Sequence, residues 1–115
     1  MKVTFDYLDE FERGAKALRK KYPSFENDYD TFLDELEKNP FAGESLGQHT
    51  YKYRMAIASK GKGKSGGARV ITYNVQQTGS ENILITLMTI YDKSDIENVS
   101  DAYLKSLVQQ IEAAK

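Results

Sequence analysis

Six cations, Lys52, Arg54, Lys60, Lys62, Lys64 and Arg69, fall within residues 51–69 (YKYRMAIASKGKGKSGGAR), and no acidic side chain lies between Glu44 and Glu81. The overall charge of −1 hides this clustering. Residues 1–44 hold 7 basic and 11 acidic groups, the middle holds 6 and 0, and residues 81–115 hold 3 and 6. A local positive field of that kind suits a phosphate-rich partner. Lys52, Arg54 and Arg69 alternate with apolar positions, so they belong to strands rather than to a solvated loop. Three like charges side by side on a sheet repel one another and cost stability unless an anion visits, so they read as a functional patch. Lys62 and Lys64 fit a solvated, flexible hairpin loop equally well. Tyr91 and Lys93 are compatible both with a site and with an ordinary strand end.

Other chemistries are excluded or left without support. The chain has no cysteine, so it has neither disulfides nor thiolate metal ligands, and a reducing compartment is the natural setting. His49 is the single histidine, which rules out chelation by clustered histidines; a loop histidine beside a strand is usually structural. Gly63-Lys64-Ser65 matches the end of a nucleotide-binding P-loop. However, Ala58 stands where the first glycine belongs, and a strand rather than a helix is expected next, so the helix N-terminus that would hold phosphate is missing. The acidic flanks and a pI near 5.8 argue against a protein that coats nucleic acid over its whole surface. The expectation is a single domain over residues 1–115, cytoplasmic, with no thiolate or clustered-histidine metal site, no small-molecule cofactor and no membrane contact. The N-terminus, MKVTFDYLDEFER, turns acidic where a signal peptide is apolar, and no later run has membrane-spanning length.

The patch must be positioned by the elements around it. Residues 2–5 (KVTF) alternate as a short strand, and Asp6 is placed to cap a helix. Leu8, Phe11, Ala15, Leu18 and Tyr22 form one helical stripe that ends at Pro23. Ser24 then caps a second helix carrying Phe25, Tyr29, Phe32, Leu33 and Leu36, which stops at Asn39-Pro40. Residues 41–48 read as a loop. From Tyr51 the period becomes two: over residues 51–59, Tyr51, Tyr53, Met55 and Ile57 face a core, while Lys52, Arg54, Ala56 and Ala58 face the other way. A mobile glycine-rich connection leads to a strand over 69–75, antiparallel to the first. Residues 83–90 (ILITLMTI) are apolar on both faces, as a central strand would be. Ser94 and Glu97 have capping-box spacing ahead of a final helix striped by Leu104, Leu107, Val108 and Ile111. The predicted class is α+β, in the order β-α-α-β-β-β-α.

In that order and spacing, YKYRM, KGKGKSGGARVITY and LMTIYDKSD followed by a terminal helix resemble the RelE/ParE superfamily of toxins from type II toxin-antitoxin pairs. The nearest likeness is to its RelE and HigB-like branch. The likeness spans the chain, including KKYPSF and LEKNPFAGESLG, and the glycine-rich loop running into ARVI is its most specific part. It implies an N-terminal strand and helical hairpin packed on a mainly antiparallel twisted sheet. It also implies a ribosome-dependent mRNA endoribonuclease that halts translation without a metal, acting on message in the ribosome and held inactive by a cognate antitoxin. Lys52, Arg54 and Arg69 match the family's basic strand positions, Tyr91 and Lys93 the pair ending its last strand, and Lys60, Lys62 and Lys64 its basic RNA-binding loop. In such a site Arg69 would clamp the scissile phosphate, while Lys52 and Arg54 would position the backbone or, for Lys52 with a depressed pKa, accept the 2′-hydroxyl proton. Tyr91 would orient a base and Lys93 would protonate the leaving oxygen. The low pI and the absence of a terminal histidine depart from many active members. The ParE branch inhibits DNA gyrase instead, and a non-catalytic RNA- or partner-binding module is the remaining class.

Overall fold

A computed structural model of the chain describes residues 2–61, 63–96 and 98–114. Strand β1 (Val3–Tyr7) leads into helices α1 (Asp9–Lys21) and α2 (Phe25–Lys38). Strands β2 (Glu44–Gly47) and β3 (Thr50–Met55) follow, then a 3-10 turn (Ala58–Lys60) and a one-turn helix α3 (Gly63–Gly66). Strands β4 (Ala68–Gln76) and β5 (Ile83–Asp92) and helix α4 (Asp101–Ala113) complete the chain. The five strands form one sheet in the order β1-β5-β4-β3-β2, with β1 parallel to β5 and the other pairs antiparallel. The expected α+β class and element order hold.

Each face of the sheet carries its own apolar core. On one face Phe11, Ala15 and Leu18 of α1 and Phe25, Phe32 and Leu36 of α2 pack against Tyr53, Met55, Val70, Ile85 and Leu87. Gly14 allows α1 to cross β5 closely, since a Cβ there would stand 2.4 Å from the Ile90 carbonyl oxygen. Acids in the first turn of α1 and Arg19, Lys20 and Lys21 in its last turn complement the helix dipole. On the other face Leu107 and Val108 of α4 cover Ile71, Tyr73, Met88 and Tyr91.

Local departures from the predicted elements have physical causes. Glu44–Gly47 is a strand rather than a loop; it is exposed along its length, so it carries no period-two signature, and it pairs with β3 through a turn in which Gly47, Gln48 and His49 all have positive φ. The strand expected over 51–59 ends at Met55, because α2 captures the chain beyond it: Asp28 accepts the Ala58 amide and Ser24 Oγ accepts the Ser59 amide. Asp6 lies in β1 and accepts the Tyr7 amide, and Leu8 holds the position before α1. Ser24 precedes α2 but spends its hydroxyl on Asp28 and Ser59 instead of a cap. The residue that caps α4 is Ser100 rather than Ser94, accepting the Tyr103 amide at 3.1 Å, and Glu97 lies outside the described residues.

Candidate phosphate-binding site

The register of β3, β4 and β5 decides which cations meet. Arg54 lies directly opposite Arg69, and Arg69 directly opposite Tyr91, so the three form one row on the α4 side of the sheet. One pleat along β3, Lys52 pairs with Glu44 on one side and Ile71 on the other. Because β2 pairs with β3 only as far as Lys52, the edge of β3 beyond it is open. A cleft of about 560 Å³ occupies that opening, lined by Lys52, Arg54, Lys64, Arg69 and Lys93 together with Glu35, Glu44 and Asn98. Its rim is held by Tyr53, whose hydroxyl donates to the Pro40 carbonyl at 2.5 Å and accepts from Asn74 Nδ2 at 3.0 Å. Burial raises the Tyr53 pKa, with Asn74 and Thr72 acting against it.

The predicted site residues therefore have different standings. Arg54 is exposed, and among the described residues its side chain has no hydrogen bond or ion pair. Lys52 donates to Asn98 Oδ1 at 3.2 Å. Lys64 meets Glu35 at 3.2 Å on the surface, where such a pair contributes little. Lys93 lines the cleft and anchors itself by donating its amide to the Gly67 carbonyl at 3.0 Å. Lys62 lies outside the described residues.

Arg69, read as the phosphate clamp, is only 6% exposed and is committed elsewhere in large part. Its guanidinium donates to the carbonyls of Lys64 (3.1 Å), Ala68 (3.2 Å) and Ser65 (2.9 Å), which uses three of the five N–H donors an arginine has. It serves the C-terminal carbonyls of α3, so the glycine-rich connection is folded back onto β4 instead of swinging free. Gly67 makes this approach possible: a Cβ there would stand 2.1 Å from the Met55 carbonyl oxygen.

Tyr91 is 7% exposed and shares the α4-side core, so its ring is not open to a stacked base. Its Oη is buried without a hydrogen-bond partner among the described residues. Burial raises its pKa, opposed by the charge of Arg69 and reinforced by that of Glu44.

Lys60 departs furthest from its expected role. Instead of reaching for RNA from a loop, its side chain is 6% exposed and its ammonium stands 2.6 Å from Asp92 Oδ1, itself 2% exposed. Asp92 also accepts from the Tyr22 hydroxyl at 2.5 Å and the Ser94 amide at 2.9 Å, and lies 3.5 Å from Lys21. Burial alone would raise the Asp92 pKa. The hydrogen bonds from Lys60, Tyr22 and Ser94 and the charge of Lys60 outweigh it and hold the carboxyl well below the usual carboxylate range. Glu44, by contrast, was legible in sequence only as the acid that closes the N-terminal flank, and its place in the cleft opposite Lys52 comes from the β2 pairing.

No known protein-family model matches the sequence. Among the described residues no group of three or more His, Cys, Asp or Glu side chains is placed to hold a metal ion, and no helix is long and apolar enough to cross a membrane.

Proposed function

We propose that the protein is a cytoplasmic toxin of a type II toxin-antitoxin pair that cleaves messenger RNA on the ribosome. The observation that carries the reading is the cleft at the open edge of β3, where five cations face two carboxylates and Arg54 stands directly opposite Arg69. Like charges placed cross-strand are unfavourable, and a phosphodiester between them turns that repulsion into attraction. In the reaction the ribose 2′-oxygen attacks the adjacent phosphorus and the bond to the 5′-oxygen breaks, leaving a 2′,3′-cyclic phosphate. The 2′-hydroxyl proton passes to a base, and the 5′-oxygen takes up a proton. Arg54, which lines the cleft, neutralises charge on the phosphorane. Arg69 supports it from within the sheet and keeps α3 in place. Lys52 positions the backbone, Glu44 opposite it takes the 2′-hydroxyl proton, and Lys93 supplies the proton to the leaving oxygen. A cognate antitoxin would silence the protein by covering the cleft with an acidic segment.

Inducing the protein alone, with pulse labelling of macromolecular synthesis and mapping of message ends on isolated ribosomes, tests this reading. Loss of protein synthesis with new ends in ribosome-bound message is expected. Early loss of DNA synthesis would instead identify a gyrase poison, and normal growth would leave a binding module.

A further inference from the structure

Lys60 lies behind the cleft, outside its lining, yet its ammonium gathers the residues around Lys93. It reaches Asp92 Oδ1 at 2.6 Å and Ser94 Oγ at 3.0 Å, the side chains on either side of Lys93 in sequence. It also approaches within 3.5 Å of the Gly67 carbonyl, the same oxygen that accepts the Lys93 amide at 3.0 Å. Asp92 closes the arrangement by accepting the Ser94 amide, and the Tyr22 ring lies 5.5 Å from the Lys60 nitrogen. Asp92 pairs with Ala68, a member of the core beneath α1 and α2, whereas Lys93 lines the cleft.

We propose that Lys60 is a positioning residue for the nuclease reaction: by binding both neighbours of Lys93 and the carbonyl that receives its amide, it sets where the Lys93 ammonium stands in the cleft. The proposal rests on the nuclease reading for its kinetic consequence. The strut itself is independent of that reading. A buried ion pair is costly to desolvate, and apolar residues of similar volume serve stability as well or better. What apolar residues cannot do is hold Ser94 Oγ and the Gly67 carbonyl in register with Asp92. Proton delivery to a leaving oxygen is sensitive to such placement, since a displacement of about 1 Å can cost on the order of 10²-fold in rate.

The test compares Lys60→Met, Lys60→Met with Asp92→Leu, and Ser94→Ala, measuring thermal melting, exchange of the Lys93 amide with deuterium, and kcat and KM on ribosome-bound message. Lys60→Met alone should melt lower, because it strands a buried carboxylate. The double variant should regain the melting temperature, yet its Lys93 amide should exchange about tenfold faster. Its kcat should fall about 10- to 100-fold with KM little changed. Adding Lys93→Ala to it should cost little more, as expected for residues acting through one another. Ser94→Ala, at an exposed site, keeps the fold and should show the same changes in smaller degree. A double variant, or a Ser94→Ala protein, with wild-type Lys93 exchange would overturn the strut, because a purely stabilising ion pair predicts that result. If the wild type cuts no message, the nuclease reading fails, while the exchange rates still decide whether Lys60 holds Lys93.

Discussion

Arg54 and Arg69 face each other across β3 and β4, but alanine at each should have different consequences. Arg69→Ala removes three charge-assisted hydrogen bonds, to the carbonyls of Lys64, Ser65 and Ala68. Losses of this kind in a buried setting sum to about 2–4 kcal/mol, and relief of repulsion with Arg54 returns at most about 1. At this chain length that corresponds to a melting temperature lower by roughly 4–15 °C. Arg54→Ala removes an exposed cation with no internal hydrogen bond, so melting should stay within about 2 °C of wild type or rise slightly. Cleavage should order differently. Loss of Arg54 should cost about 10² to 10³ in single-turnover rate at saturating ribosome, as expected for a donor aimed at developing charge. Arg69→Ala should also be slow at temperatures where it is folded, because α3 and the lip of the cleft loosen. Differential scanning fluorimetry paired with single-turnover cleavage measures both quantities on the same preparations. An Arg69→Ala protein that melts like wild type would refute the view that Arg69 is tied to α3, and an Arg54→Ala protein that cuts at wild-type rate would refute the assignment of the phosphate contact.

Binding to ribosomes or single-stranded RNA should weaken with salt, with a log-log slope no steeper than about −3.5 if all five cleft cations meet phosphate; a flat response in a salt titration would remove phosphate from the cleft. Asp92→Asn should be about 3–5 kcal/mol less stable at neutral pH, because Lys60 is left buried beside a neutral group. The folded-state pKa of Asp92 lies below its unfolded value near 3.9, so the stability from this carboxylate is complete above that value and lost as pH falls toward the folded one. The stability gap between wild type and Asp92→Asn should therefore narrow progressively below about pH 4 in chemical denaturation, and a gap that stays constant down to pH 2 would contradict the geometry at Asp92. Gly67→Ala should cost at least about 1–3 kcal/mol, since a Cβ 2.1 Å from the Met55 carbonyl oxygen forces backbone to move; unchanged melting would show that the loop has another way to close.

The sequence by itself determined the features that repeat with a period. Phe11, Ala15 and Leu18, then Phe25, Phe32 and Leu36, announce two helices through spacing alone, and the switch to alternation at Tyr51 announces the sheet, because both patterns are local consequences of backbone geometry. The concentration of cations between Glu44 and Glu81 was equally plain. Spacing carried no information on which of those cations were spent inside the fold. Lys60 and Lys64 sit four residues apart in a glycine-rich run and look alike, yet one is buried against Asp92, 32 positions along the chain, and the other lies on the surface beside Glu35. Arg69 and Arg54 likewise share a residue type and a strand face, and only the folding of α3 back onto β4 supplies the carbonyls that bind one and leave the other open. Glu44 joined the cleft through a short exposed strand without apolar alternation, held by its pairing with β3. A charge's role depends on which partner reaches it first in three dimensions, and those partners come from distant segments that composition and periodicity do not connect.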